Sequence, residues 1–372
     1  MMKDLFVTCP HGFEALLQKE LISLGISQVS PRFCGVLIPE SIENVFTVNY
    51  ESRIATRVLW PIAEFPCSGR DDLYKHCRSI SWDYFLHCNK TFAIDSNVQH
   101  PTLTNSLFAA MVVKDAICDF FRDTTGSRPS IDKEHPEVQL NLFIQKGYAT
   151  LYLDTSGAPL HKRGWRTAHT EASLHESLAA ALLLHTGYSR EKTFCDPFCG
   201  SGTFLIEAAW IATNTPPGIL RKKWGFFQFP DFDKKFWEQW KAERNSKCLP
   251  LDKKMFFGSD KSRETTETCK KNLIKAGLLG IDISYDEIAY YHPPQKIDLL
   301  VTNPPYGKRL ETSSTLFDQL QHFLTENLQE NGSAYFLCPE DLVLENTQTE
   351  LSFKNGGLPV KLLSFTDQEQ VQ

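Results

Sequence analysis

Two short runs of this 372-residue chain hold residue types that could do chemistry at the spacing such chemistry needs. The first is Asp196-Pro197-Phe198-Cys199-Gly200-Ser201-Gly202-Thr203-Phe204, between an apolar strand-like run and a helix-like run over 205–212. Glycines at such a joint let a ligand approach the backbone, and the unsatisfied N–H groups of the helix start favour a carboxylate or another anion. A strand-to-helix turn with no ligand would also use them. A dinucleotide fingerprint would place a third glycine where Leu205 stands and an acidic residue about 20 positions further on, and neither is present. The next strand-like run instead ends at Gly258-Ser259-Asp260. An acid at the tip of a second strand accepts from both ribose hydroxyls, which suits an adenosine-type ligand without a pyrophosphate. Asp260 would serve equally as the N-cap of the helix over 262–276.

The second run is Asn303-Pro304-Pro305-Tyr306-Gly307, at the end of the apolar stretch 297–302. Two prolines fix the backbone and offer no N–H, so the Pro304 carbonyl and the Asn303 side-chain oxygen form a pair of acceptors suited to a planar amino group. Two such hydrogen bonds orient the nitrogen towards an electrophilic methyl, and Tyr306 offers a ring on which a flipped base can stack. Methyl transfer from a sulfonium needs neither a metal nor a strong base, because the leaving group is already activated. The structural alternative is a proline-rich turn closing a strand. Together the two runs predict an S-adenosylmethionine-dependent amino-methyltransferase. Asn303, Pro304 and Tyr306 are its expected catalytic residues, Gly200, Gly202 and Asp260 line its expected cofactor site, and no metal is expected.

The elements that must position these residues are legible as periodicity. Over the first 155 residues short β-prone runs (91–96, 138–144, 149–153) alternate with amphipathic helical stretches. In the stretch 106–122, Leu107, Ala110, Met111, Ile117 and Phe121 are the expected core face, with Lys114, Asp115 and Asp119 facing water. After Asp154-Thr155-Ser156-Gly157 a basic run over 160–166 leads to a helix expected from Ser173, where Ser173 and Glu176 have capping-box spacing and Gly187 marks the stop. Apolar strand-like runs at 193–198, 255–259, 297–303 and 333–337 then alternate with helices, the pattern of a doubly wound, mostly parallel sheet buried on both faces. The aromatic and basic stretch 214–254 breaks the alternation and reads as an insertion over the sheet's ligand-binding edge.

Composition excludes several classes. Hydrophobic residues at 42% and charged residues at 23% are those of a folded globular protein rather than a disordered one. No run of about 18 uncharged apolar residues suggests a membrane span, and no apolar leader follows Met1, so a cytoplasmic protein is expected. Eleven cysteines lack paired spacing, and Cys195 and Cys338 read as small buried thiols. The net charge of −6 is unfavourable for a nucleic-acid partner, but residues 158–275 hold 20 Lys and Arg against 13 Asp and Glu. Within that stretch Arg163, Arg166, Lys222 and Lys223 are the expected phosphate contacts of a structured RNA, with Trp224 or Phe226 as stacking groups. A charged surface over core aromatics would read the same way.

From Leu160 through the glycine-rich loop to Leu310 the chain resembles the THUMP-domain RNA guanine-N2 methyltransferases of the large-subunit rRNA methyltransferase L type. Ile80-Ser81-Trp82, Thr91-Phe92-Ala93, residues 113–117, Arg128-Pro129, His135-Pro136-Glu137 and residues 153–157 extend the resemblance over nearly the whole chain. It implies a ferredoxin-like segment at 1–50, a THUMP RNA-binding region at 51–157 and a Rossmann-like class I methyltransferase domain at 158–372. It also implies rRNA as partner, Asp196 with Gly200 and Gly202 around the methionine moiety, Phe198 and Thr203 in the same cofactor site, and Asp286 on the adenine amino group, although here Glu287 stands beside it. Two departures accompany it. His175 stands where relatives often have a basic residue, and the second methyltransferase domain of many relatives does not follow, so no second activity is expected. The Asn-Pro-Pro-Tyr run is shared by amino-methyltransferases of DNA adenine and protein amides, and a non-catalytic RNA-binding protein is the remaining alternative.

Overall fold

The computed structural model describes residues 4–167, 174–305 and 313–365. The chain forms two compact units, each discontinuous in sequence. The first comprises residues 1–9, 17–162 and 221–241, and the second residues 10–16, 163–220 and 242–372.

The first unit is built on one eight-stranded sheet. In chain order its elements are β1 (Leu5–Thr8), α1 (Glu14–Ser23, whose first turn clusters with the second unit), β2 (Ser30–Arg32), β3 (Gly35–Ile38), α2 (Ile42–Glu51), β4 (Arg57–Pro66), α3 (Arg70–Arg78), β5 (Thr91–Gln99), α4 (Ser106–Thr125), β6 (Ser130–Ile131), β7 (Val138–Gln145) and β8 (Tyr148–Asp154). The strand order is β2-β3-β1-β4-β8-β7-β5-β6. β4 pairs antiparallel with β1 on one side and with β8 on the other, so the expected ferredoxin-like and THUMP parts share a single sheet. Alternation in β7 sends Leu140, Leu142 and Ile144 inward beside Phe92, Trp82 and Phe121.

α4 runs three residues beyond the expected 122 and turns a different face to the core. Ala109, Ala110, Val112, Val113, Ala116, Ile117 and Phe121 are buried, whereas Leu107 and Met111 are exposed. The buried stripe mixes three alanines with Val112, Val113, Ile117 and Phe121, a choice that the hydrophobicity of Leu107 and Met111 does not reveal.

The aromatic insertion belongs in part to this unit. Residues 221–241 pack onto α2, with Phe46 at ring-centroid distances of 5.0 Å from Phe226 and 4.8 Å from Trp237, and Tyr50 at 5.6 Å from Trp237. Residues 221–241, expected over the edge of the sheet they interrupt, cluster with the first unit, where this density of aromatic surface completes a core, and Trp224 and Phe226 are buried rather than offered to bases.

The second unit carries a seven-stranded sheet. Its elements are α5 (Glu176–His185), β9 (Phe194–Asp196), α6 (Thr203–Ala212), α7 (Lys234–Asn245, begun in the first unit), β10 (Phe256–Ser259), α8 (Arg263–Lys275), β11 (Asp282–Ser284), β12 (Ile297–Thr302), α9 (Ser313–Asn327), β13 (Leu328–Pro339), β14 (Thr347–Asn355) and β15 (Leu358–Phe365). The order β11-β10-β9-β12-β13-β15-β14 is parallel through the first five strands and antiparallel at β15 and β14. This is the expected doubly wound sheet. Leu299, Leu300 and Val301 of β12 are fully buried, as a strand covered on both faces requires. Cys195 and Cys338 are buried, as expected of small core thiols. Among the described residues no helix is long and apolar enough to cross a membrane.

Candidate active site

Strand order reverses at β9, which lies between β10 and β12, and such a switch point opens a crevice at the carboxyl ends of the strands. The predicted residues collect there because each ends a strand or follows one directly. Asp196 ends β9 and is 2% exposed. Its Oδ1 accepts from the Phe198 N–H at 3.1 Å and from the Thr302 hydroxyl of β12 at 2.5 Å. Burial holds this carboxyl up at about 7, only partly offset by the two hydrogen bonds. Thr302 escaped sequence reasoning, yet its place beside Asn303 at a strand tip was the available signal.

The loop after β9 is held from both sides. The Cys199 N–H donates to the Ser259 carbonyl at 2.9 Å, and the Gly200 N–H donates to Asp260 Oδ2 at 3.1 Å. Gly200 and Gly202 have φ of +53° and +86°, and a Cβ on Gly202 would lie 2.7 Å from Cys269 Sγ of α8. Gly202 is thus fixed by backbone and by space. Asp260 is not the helix cap: Ser262 caps α8, and Asp260 Oδ1 accepts from the Ser262 N–H at 2.9 Å while Oδ2 reaches back to the loop. One carboxylate therefore ties the tip of β10 to the glycine-rich loop. Ser259 Oγ donates to the Asp286 carbonyl at 2.8 Å, which brings the end of β11 to the same edge with the Asp286 and Glu287 side chains exposed.

Asn303 follows β12 directly. Its Oδ1 is buried and has no hydrogen-bond partner among the described residues, and Pro304 beside it is buried while Pro305 is exposed. A buried acceptor left without a donor costs about 1–3 kcal/mol, so such an atom marks a place where a ligand donor belongs. Tyr306 lies outside the described residues.

The expected phosphate contacts divide. Lys222 and Lys223 are exposed on the first unit. Arg163 is 1% exposed, with Nε 3.3 Å from Glu207 Oε1, and is corrected to a buried ion pair. Arg166 is nearly as buried, and its guanidinium is committed to Glu176, Ser201, Thr203 and the Leu174 carbonyl. Residue type gave no hint of either, because the partners lie 44 and 8 to 37 positions away in sequence. Thr203, expected at the cofactor, turns its hydroxyl to Arg166. Glu176 likewise makes this ion pair; the N-cap position of α5 is His175, without a side-chain cap, and Ser173 lies outside the described residues.

Comparisons with known proteins agree with this layout. Residues 163–356 match the RMKL-like methyltransferase domain model, residues 68–154 the THUMP domain and residues 4–59 the RlmL ferredoxin-like domain. Ribosomal RNA large subunit methyltransferase K/L of Vibrio cholerae is 34% identical over 98% of this chain and 53% of its own length. A Synechocystis protein described as the RNA methyltransferase slr0064 is 34% identical over 98% of this chain and 96% of its own. The chain thus spans about half the length of the K/L relatives it matches. Among solved structures, SMU.472, described as a methyltransferase complexed with SAH, superposes with a TM-score of 0.83 at 26% identity, covering 99% of both chains. A Listeria monocytogenes protein described as an N6-adenine-specific DNA methylase gives 0.84 at 26%, covering 98% of this chain and 96% of its own. With a ferredoxin-like segment and a THUMP domain ahead of a class I sheet whose glycine-rich loop, second-strand aspartate and Asn-Pro-Pro turn meet at one edge, the chain belongs to the family of THUMP-domain methyltransferases with an RMKL-like catalytic domain.

Proposed function

We propose that the protein is an S-adenosylmethionine-dependent RNA methyltransferase that modifies the exocyclic N2 of a guanine in 23S rRNA. The observation that carries this reading is Asn303 Oδ1, a buried acceptor without a donor among the described residues, at the strand edge that also holds Asp196, Asp260 and the glycine-rich loop. The K/L and Synechocystis relatives, described as RNA methyltransferases, support RNA as substrate, and the SAH complex of SMU.472 supports the cofactor.

The residues present suit that cofactor. Positive φ at Gly200 and Gly202 leaves a loop without side chains in which a methionine moiety fits, and Asp260, already fixed by two N–H donors, can accept from a ribose. Asp196 accepts both of its described hydrogen bonds at Oδ1, which leaves Oδ2 for a cationic ligand, and Asp286 and Phe198 are assigned to the adenine. When bound, adenosylmethionine would supply an electrophilic sulfonium methyl: the S–CH3 bond breaks as the N–CH3 bond forms, S-adenosylhomocysteine is the leaving group, and the proton displaced from the amine passes to solvent. Asn303 Oδ1 and the Pro304 carbonyl accept the two N–H bonds of the target amine, hold its nitrogen, and draw electron density onto it as the N–C bond forms. Tyr306 is assigned to stacking on the extruded base. The THUMP domain together with Lys222 and Lys223 is assigned to the RNA backbone.

Labelled methyl transfer from adenosylmethionine to RNA of cells lacking the protein, followed by nucleoside analysis, tests the reading. Label is expected in N2-methylguanosine of 23S rRNA. Label absent from every RNA including assembling ribosomal particles would overturn it, whether or not DNA offered in a parallel reaction is labelled.

A further inference from the structure

Arg166 and Asn272 take no part in the chemistry proposed above, yet both are committed to the loop that carries Gly200 and Gly202. The Arg166 guanidinium is 7% exposed and makes four hydrogen bonds: Nε to Glu176 Oε1 at 2.9 Å, one terminal nitrogen to Ser201 Oγ at 3.0 Å, and the other to Thr203 Oγ1 at 3.0 Å and the Leu174 carbonyl at 2.8 Å. Asn272, on the buried face of α8, is fully buried. Its Nδ2 donates to the Ser201 carbonyl at 3.0 Å, and its Oδ1 accepts from the Thr167 N–H at 3.0 Å and the Thr167 hydroxyl at 2.9 Å. Lys275, one turn along α8, donates to the Arg166 carbonyl at 3.1 Å.

Ser201 is therefore gripped at its side chain by Arg166 and at its carbonyl by Asn272, opposite the side where Asp260 holds the Gly200 N–H. Two glycines with positive φ would otherwise make this loop the freest segment of the edge. We infer that Arg166 and Asn272 are positioning residues for cofactor binding, which hold the glycine-rich loop in its ligand-accepting conformation before the ligand arrives. The inference rests on the cofactor reading of the site given above. A planar fork with five donors reaches four acceptors at once, which a lysine ammonium cannot do. With Glu176 beside it the guanidinium carries little unpaired charge, so its work is directional hydrogen bonding rather than attraction of a polyanion.

The test uses the full chain and titration calorimetry with S-adenosylhomocysteine. In Arg166→Lys and Asn272→Asp the dissociation constant is expected to rise about 10- to 100-fold, the effect of losing hydrogen bonds of charged or buried groups. The KM for adenosylmethionine should rise in parallel, while kcat at saturating cofactor and the KM for RNA stay within about threefold. Thr203→Val removes one acceptor of the fork with little change of shape and serves where the buried-polar variants fail to fold. It is expected to weaken binding alone, and in combination with Arg166→Lys to add less than the sum of the two. Folded variants that bind S-adenosylhomocysteine within twofold of wild type, or that lose kcat with cofactor affinity intact, would overturn the inference. Wild-type protein that fails to bind S-adenosylhomocysteine would instead overturn the cofactor reading.

Discussion

In the proposed mechanism Asn303→Ala removes an acceptor that acts mainly as the new N–C bond forms, so turnover should fall about 10²–10³-fold, by analogy with the loss of one oxyanion-hole donor, with cofactor affinity unchanged. Parallel kinetics and calorimetry check this, and full turnover would discard the acceptor mechanism. Asp196 yields a pH prediction. Its carboxyl, held up at about 7 by burial, is neutral below that pH and anionic above it. A cationic cofactor prefers the anion, so its binding releases a proton, and affinity should increase as pH rises from about 6 to about 8. Asp196→Asn should flatten that dependence, and a wild-type affinity without slope in this window would remove Asp196 from the site. The acidic and acceptor residues of this edge were legible in the sequence because strand ends, prolines and glycines announce them. Arg163 and Arg166 were not, because a basic residue looks the same in sequence whether it meets solvent or a carboxylate brought in from another helix.

At the scale of elements, α8 and the loop over it are fitted to each other. Gly202→Ala combines a left-handed φ with a Cβ 2.7 Å from Cys269 Sγ, so it should destabilise by roughly 1–3 kcal/mol in urea unfolding, and Cys269→Ala should recover only the steric share. If Gly202→Ala were neutral, the left-handed loop conformation would be wrong. The strands and their parallel arrangement followed from apolar runs alternating with helices. The face of α4 did not, because Leu107 and Met111 are more apolar than the alanines that lie on the sheet. The place of the insertion was also hidden: its aromatics announce a core without saying which core, and the answer lies in Phe46 and Tyr50, some 180 positions earlier. Phe46→Ala should cost roughly 3–5 kcal/mol in the first unit, since it empties the centre of that aromatic cluster.

At the scale of the molecule, charge is distributed rather than balanced: residues 276–372 carry 5 Lys and Arg against 14 Asp and Glu, in contrast to the basic middle third. A polyanion is steered by such local sign, and Lys222 and Lys223 are exposed where the first unit presents it. Reversing both to Glu should weaken RNA binding across sequences and reduce the salt slope by roughly 0.9 for each phosphate that is no longer neutralised, as read from affinity against salt concentration. An unchanged slope would place the RNA elsewhere. A change of character near residue 157 suggests a division in the sequence, but it does not show that the first unit regains residues 221–241. That β4 belongs to both the ferredoxin-like and the THUMP halves was not legible either, since pairing with β8 joins positions about 90 apart and no local pattern encodes it.

The detour of residues 221–241 bears on how the protein is made. A ribosome that has released residues 1–162 has supplied every strand of the first sheet but not the Trp224, Phe226 and Trp237 that cover Phe46 and Tyr50. Until residue 241 emerges, α2 presents an open aromatic face, and during that interval α5, β9, α6 and the glycine-rich loop are already outside. Completion of the first unit therefore cannot precede the start of the second. A shortened chain ending near residue 162 should be sticky and chaperone-dependent, whereas the same chain with 221–241 appended through a flexible linker should regain solubility.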